Sequence, residues 1–176
     1  MTVTTLSTKL SWRTLLVDAA LAGAVCLIPW LHVYAPWSVA LNPMLFLLLA
    51  GMLLTCQPGH RVHGRGNAFF LALLLPAFSA LVVGMPTPLK ALCIVAELTT
   101  LVAVYSLMAT KAQTSIRLFL TMLLAMLAGK AVYYALKALL IAPAVLIGTD
   151  MWMQVASMLL WGGLFTLVIT KLKSKN

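Results

Sequence analysis

Three lysines, Lys90, Lys130 and Lys137, fall within or beside apolar stretches of the chain. If those stretches are helices that cross a membrane, an unpaired charge inside them costs at least about 3 kcal/mol on insertion scales. Counting ~1.5 Å per residue from the outer ends of the predicted helices puts Glu97 about 14 Å deep and Lys130 about 16 Å deep. Glu97 and Lys130 can therefore meet at one level, either as a structural ion pair between two helices or as part of a binding site.

A polar stripe follows from the spacing of four residues in one apolar stretch. Lys130, Tyr133, Tyr134 and Lys137 recur at i, i+3, i+4 and i+7, so they share one face of a helix, and this face must look inward. Together with other polar and aromatic residues of the outer half, it can line a pocket for an anionic small molecule. For Trp152 a role as an interfacial anchor is the alternative. The predicted substrate-binding residues are Asn42, Lys90, Glu97, Lys130, Tyr133, Tyr134, Lys137 and Trp152.

Acid–base and metal chemistry have few groups available, since the chain has 3 Asp and Glu residues among 176. No Walker A loop, HExxH or GxSxG motif is present. His60 and His63 could offer two imidazoles to a metal, but no acidic or Cys ligand accompanies them, and we interpret the segment as a basic loop. We predict no catalytic residue, no metal site and no cofactor.

Composition determines the elements that must position these residues. Hydrophobic residues make up 63% of the chain and charged residues 9%, against about 25% charged in ordinary soluble domains. The mean hydropathy is +1.06. In hydrocarbon every backbone polar group needs an internal partner, and the long, unalternating apolar runs favour helices over a closed barrel. The sequence predicts an all-α integral membrane protein with a single membrane domain over residues 1–176.

Six apolar stretches predict a bundle of six transmembrane helices, since about 20 residues cross the hydrocarbon core. Thr87 before Pro88 is typical of an N-cap followed by proline in the first helical turn. The second stretch has two interpretations. It is either a longer, proline-kinked helix or a shorter helix that starts at Asn42-Pro43 and leaves 32–42 as a loop. The predicted spans are 14–34, 36–56, 68–84, 88–109, 116–141 and 150–170.

The distribution of positive charge predicts the orientation. Nine of the 12 Lys and Arg residues fall in segments that share one side of the membrane, which the positive-inside rule makes cytoplasmic, with both termini inside. The net charge of +9 is dispersed over short loops, so we expect contact with anionic membrane lipid and none with nucleic acid. The nine are Lys9, Arg13, Arg61, Arg65, Lys111, Arg117, Lys171, Lys173 and Lys175.

The first helix combines an acidic residue with small residues. Asp18 lies near its inner end, where we expect it to pair with a cytoplasmic Arg or Lys. Ala19 with Gly23, and Ala20 with Ala24, form two overlapping small-xxx-small patterns. Such a face lets another helix approach closely, either inside the bundle or from a partner subunit.

A six-helix membrane protein of this size with an Ala20-x-x-x-Ala24 face resembles the substrate-binding S components of energy-coupling-factor vitamin transporters. The segment Leu75-Pro76-Ala77-Phe78 through Gly84-Met85-Pro86-Thr87-Pro88-Leu89-Lys90 to Glu97-Leu98 looks like their third and fourth helices. The resemblance covers the whole chain in architecture and residues 15–24 and 75–98 in sequence.

The resemblance implies a small-molecule substrate, a vitamin or related micronutrient, bound near the outer face of the bacterial cytoplasmic (inner) membrane. It implies lids at 32–42, 84–88 and 142–149, and contacts of Ala20 and Ala24 with a transmembrane coupling subunit. Two cytoplasmic ATPases would supply the energy, so the chain itself would be no enzyme.

Two other classes stay open at this point. A membrane-embedded enzyme that acts on lipid would use Glu97 or Asp18 as its acid or base. A structural or assembly protein would use the small-residue face to hold another membrane subunit and would need no pocket.

Overall fold

The computed structural model describes residues 12–35, 41–55, 61–109, 114–141 and 151–174. Within these ranges every regular element is a helix. The helices are α1 Trp12–Val25, α2 Ile28–Tyr34, α3 Pro43–Thr55, α4 Arg61–Phe78 with a π-helical turn Ser79–Val83, α5 Pro88–Met108, α6 Ser115–Leu140 and α7 Met151–Ser174.

Five helical stretches of the described chain are long and apolar enough to cross a membrane. The all-helical class is thereby confirmed, and the five apolar helices suggest a multi-pass membrane protein. A sixth crossing and the cytoplasmic location of both termini stay predictions. The five stretches are Trp12–Tyr34, Gly66–Val83, Pro88–Met108, Ser115–Leu140 and Trp152–Lys171.

The first of these stretches is interrupted by a two-residue turn at Cys26 and Leu27, which separates α1 from α2. Pro29 lies in the first turn of α2. Because proline has no N–H to donate to the carbonyl group four residues earlier, it breaks the continuous α-helical ladder at this point. The backbone N–H of Cys26 instead bonds to the carbonyl oxygen of Gly23 at 3.1 Å. The apolar run 14–34 predicts one uninterrupted helix here, so this prediction is wrong at the turn.

Helix α3 is short. Its 13 residues span about 20 Å, less than the ~30 Å of the hydrocarbon core. The described chain enters it through Asn42, whose φ is +48°, a left-handed conformation that Asn adopts more readily than most residues. The helix therefore begins where the shorter interpretation places it. Residues 36–40, which the longer interpretation makes helical, lie outside the described ranges.

Helix α4 begins at Arg61, within the polar run that the sequence analysis interpreted as a loop. It contains Pro76 and then passes into the π-helical turn, which ends at Gly84 with a φ of +75°. The Ser79 hydroxyl donates to the Met85 carbonyl oxygen and ties this end of the helix to the following turn. A glycine at the left-handed position avoids the Cβ clash that other residues meet there.

Apolar side chains lie both inside and outside the bundle. Its interior is filled by a continuous cluster that includes Leu48, Leu71 and Leu98, each 0% exposed. The outer faces expose large apolar side chains such as Leu81 and Leu107. Water disfavours such a surface and hydrocarbon accepts it, so the distribution suits a bundle in a lipid bilayer.

Candidate functional site

The Glu97 and Lys130 side chains form an ion pair in the interior, with 2.8 Å between Lys130 Nζ and Glu97 Oε1. The two side chains are 5% and 14% exposed, for Glu97 and Lys130 respectively. The expectation that they meet at one level is thereby confirmed. Each charge compensates the other in the apolar interior, where an unpaired charge would raise the free energy of the folded state.

Close packing of α5 on α6 makes this pair possible. A Cβ atom added to Gly129 would lie 2.7 Å from the backbone carbonyl oxygen of Glu97. Only glycine lets the two backbones approach to this distance. Gly129 precedes Lys130, so the residue that brings the helices together also sets the position of the lysine.

Asn42 brings the start of α3 to the same point. Its side-chain Nδ2 donates a long hydrogen bond of 3.5 Å to Glu97 Oε1, and its Oδ1 accepts from the backbone N–H of Leu45 at 3.4 Å. One amide thus caps α3 and contacts the ion pair. Since Glu97 lies about 14 Å along α5 from its first residue, α3 begins well inside the bundle.

Helix α7 holds the start of α3 in place. The indole Nε1 of Trp161 donates to the backbone carbonyl oxygen of Leu41 at 2.6 Å. The Trp161 ring also packs on the Phe46 ring, with 4.8 Å between centroids. A carbonyl group that precedes a helix would otherwise lack a partner in the apolar interior.

Two tyrosines extend the polar cluster along α6. Lys130 Nζ lies 5.2 Å from the centroid of the Tyr133 ring, within the range of a cation–π interaction. Tyr133 and Tyr134 pack edge to face with 5.4 Å between centroids. The Tyr134 hydroxyl donates to Gln154 Oε1 of α7 at 2.7 Å. Polar contacts therefore run from α3 through α5 and α6 to α7.

Of the remaining predicted site residues, Lys137 lies one turn beyond the cluster on α6, and Lys90 and Trp152 lie near the starts of α5 and α7. Lys137 is half-buried on α6, and no described carboxylate lies within ion-pair distance of it. Lys90 is exposed at the start of α5 and interacts electrostatically with His32. Trp152 is 78% exposed at the start of α7, which fits its alternative interpretation as an interfacial anchor.

Other sequence predictions have mixed outcomes. Thr87 precedes α5 as expected, but its side chain makes no capping hydrogen bond. Ala20 is exposed, whereas Ala24 is half-buried against the core. The lid segment 142–149 lies outside the described ranges.

Gln154 and Trp161 are not among the residues predicted from the sequence. Gln154 is the one amide in the last apolar stretch. An amide that is isolated among apolar residues could have indicated a polar contact inside the bundle. Trp161 carried no signal, because a tryptophan in an apolar helix is most simply explained as packing.

In the described part of the chain, no three His, Cys, Asp or Glu side chains converge to hold a metal ion. His60 lies outside this part. The cluster brings hydrogen-bonding groups, an ion pair and aromatic rings together in one region.

No protein-family model, curated protein or solved structure matches this chain.

Proposed function

We propose that this chain is a membrane-embedded substrate-binding subunit of an energy-coupling-factor type importer. It captures a small anionic vitamin or related micronutrient at the outer face of the bacterial cytoplasmic membrane. A transmembrane coupling subunit and two cytoplasmic ATPases then drive delivery to the inside.

The observation that supports this most is the polar cluster around Lys130, at the point where the short helix α3 starts inside the bundle. An ion pair alone would suffice to join α5 and α6. The cluster adds Asn42, two tyrosines and Gln154, and these groups supply donors, acceptors and ring faces in one region. Such a combination is typical of sites that bind a small molecule.

The charges of the outer half favour an anion. Within the described chain, Glu97 neutralises Lys130, and Lys137 and Lys90 are two further positive charges on the predicted outer side, where Asp150 is the other acidic residue. Lys137 is half-buried, one turn beyond Tyr133 and Tyr134 on α6. A carboxylate or phosphate held by the tyrosines would find the Lys137 ammonium group as its counter-charge.

A ligand-stabilisation screen of the detergent-purified protein tests this proposal. Water-soluble vitamins with a carboxylate or phosphate should raise its melting temperature, because a ligand that binds only the folded state stabilises it. The Lys137→Ala variant should bind the stabilising compound about 10- to 150-fold more weakly, as expected for a lost hydrogen bond to a charged group.

Arg117→Ala is the matched control. Arg117 is an exposed cation at the opposite end of the same helix, so its loss should leave ligand binding unchanged. Stabilisation by a cationic vitamin or a divalent metal, with Lys137→Ala binding as tightly as the unaltered protein, would contradict the anionic-substrate proposal.

A further inference from the structure

A second buried carboxyl group lies far from the candidate site, near the ends where α1 and α4 begin. Asp18 is 6% exposed and lies six residues into the first membrane-length stretch, Trp12–Tyr34. This places it about 9 Å from the start of that stretch. Asn67 Nδ2 of α4 donates to Asp18 Oδ1 at 3.0 Å.

The partner of this carboxyl group differs in kind from the partner of Glu97. Glu97 faces an ammonium group at 2.8 Å, whereas Asp18 faces a neutral amide. An amide N–H can donate to a carboxylate and, more weakly, to the carbonyl oxygen of a protonated acid. It does not compensate a full negative charge in a water-free interior, where a carboxyl group without a cation is neutralised by a proton instead.

The surroundings supply little positive charge in the described chain. Helix α1 packs against α3 and α4, and α3 contains no titratable residue. On α1 itself Arg13 is exposed, and no ion pair joins it to Asp18. The basic residues of α4 nearest to Asn67 are Arg61, His63 and Arg65, whose side chains lie outside the described part.

Helical geometry places only one of these three residues on the Asn67 face. At about 100° per residue, the backbone position of Arg65 is about 200° round the helix from Asn67, and that of Arg61 is about 240° from it. His63 is one turn nearer the start of α4, on the same side as Asn67. The backbone positions of the two arginines are therefore on other sides of α4 than that of Asn67, and His63 is the basic residue that shares its face.

We propose that Asp18 is a proton-binding site. While α1 packs on α4, one Asp18 oxygen accepts from Asn67 and the other carries the proton as a neutral carboxylic acid. Release of this proton to water at the near end of the bundle leaves a buried anion, and the cost of keeping that charge away from water weakens the packing of α1 on α4. The site is independent of the proposed substrate and would exist in any function of the bundle.

Infrared spectroscopy of the full-length protein in lipid nanodiscs tests this directly. The chain has three acidic residues, Asp18, Glu97 and Asp150, so the Asp150→Asn variant has Asp18 as its single aspartate. Incorporation of aspartate labelled with ¹³C at the side-chain carboxyl group then shifts the bands of Asp18 alone. At neutral pH the shifted band should be the C=O stretch of a protonated acid, and it should convert to a carboxylate band as pH rises. A shifted carboxylate band at neutral pH would overturn the proposal.

Stability provides a second readout. Asn resembles a neutral aspartic acid in shape but cannot ionise in the unfolded chain. Asp18→Asn should therefore raise the melting temperature at neutral pH and abolish the loss of stability that the unaltered protein shows as pH rises. Glu97→Gln is the contrasting variant, because it strands Lys130 and should lower the melting temperature. An equal drop in the melting temperatures of Asp18→Asn and Glu97→Gln would mean that Asp18 is ionised and paired with a basic group. That result would overturn the proposal.

Discussion

At the scale of single residues, Lys130 is held from two directions. Glu97 supplies the counter-charge at 2.8 Å, and the Tyr133 ring lies 5.2 Å from the ammonium nitrogen. Removal of one partner of a buried ion pair costs far more than removal of both, because it leaves an uncompensated charge.

Lys130→Met should therefore destabilise the protein by about 3–5 kcal/mol, since it strands Glu97 in the interior. The double variant Glu97→Leu, Lys130→Met should be more stable than either single variant. Thermal or denaturant unfolding in detergent measures both. As a control, Lys90→Met at an exposed position should change stability by less than about 0.5 kcal/mol. A double variant less stable than both single variants would contradict the described role of the pair.

The meeting of Glu97 and Lys130 could be predicted from sequence, because helix ends fix the depth of each residue and buried charges need partners. The role of Asn42 as a link between α3 and Glu97 could not be derived in the same way. It depends on a left-handed backbone conformation and on which helices become neighbours. The contact of Tyr134 with Gln154 likewise needs the rotation of α6 relative to α7, which periodicity alone does not define.

At the scale of elements, close approach of α5 and α6 is the feature on which the candidate site depends. Gly129→Ala should destabilise the protein by about 1–3 kcal/mol, because the added methyl group meets the Glu97 backbone carbonyl and not a side chain that can move. Gly163→Ala is the matched control on α7, where an added Cβ meets nothing within 4 Å. It should be neutral or stabilising by about 0.5–1 kcal/mol. Equal effects of the two substitutions in thermal unfolding would contradict this account of the interface.

The small residues of helix α1 are the proposed contact with a coupling subunit. Ala20 is exposed, and a Cβ added to Gly23 meets nothing within 4 Å. Ala20→Trp should therefore abolish co-purification of the coupling subunit and leave ligand binding by the isolated chain intact. Ala131→Trp, at an exposed position of α6, should leave assembly unchanged. Normal assembly with Ala20→Trp would remove the basis for this contact.

Element boundaries were predictable where proline and glycine mark them, as at Gly84 and Pro88. The break between α1 and α2 was not, since Pro29 lies in an apolar run that is long enough for a single helix. The start of α4 at Arg61 was not predicted either, because the intrinsic propensity of a glycine-rich polar run favours a loop over a helix. Within the fold that segment continues a helix whose later turns are packed in the core.

At the scale of the whole molecule, the uneven distribution of cations determines the predicted orientation. Single cysteines at residues 63 and 86, in a chain lacking Cys26, Cys56 and Cys93, test it in intact cells. Residue 86 should react with a membrane-impermeant thiol reagent from outside, and residue 63 should react only after the cells are opened. The reverse pattern would show that the orientation is inverted.

The identity of the proposed solute is the property that the sequence leaves most open, because it depends on the shape of the candidate site between α3, α5, α6 and α7. Its proposed negative charge rests on Lys137 and Lys90, two cations in addition to the neutralised Glu97–Lys130 pair. Isothermal titration calorimetry of the isolated chain, with carboxylate vitamins and their matched amides such as nicotinate and nicotinamide or biotin and its amide, measures this most directly. We predict one-to-one binding of a carboxylate form, with the amide bound about 10- to 150-fold more weakly. Binding of no carboxylate or phosphate compound, or equal affinity for an acid and its amide, would contradict the proposed capture of an anionic solute.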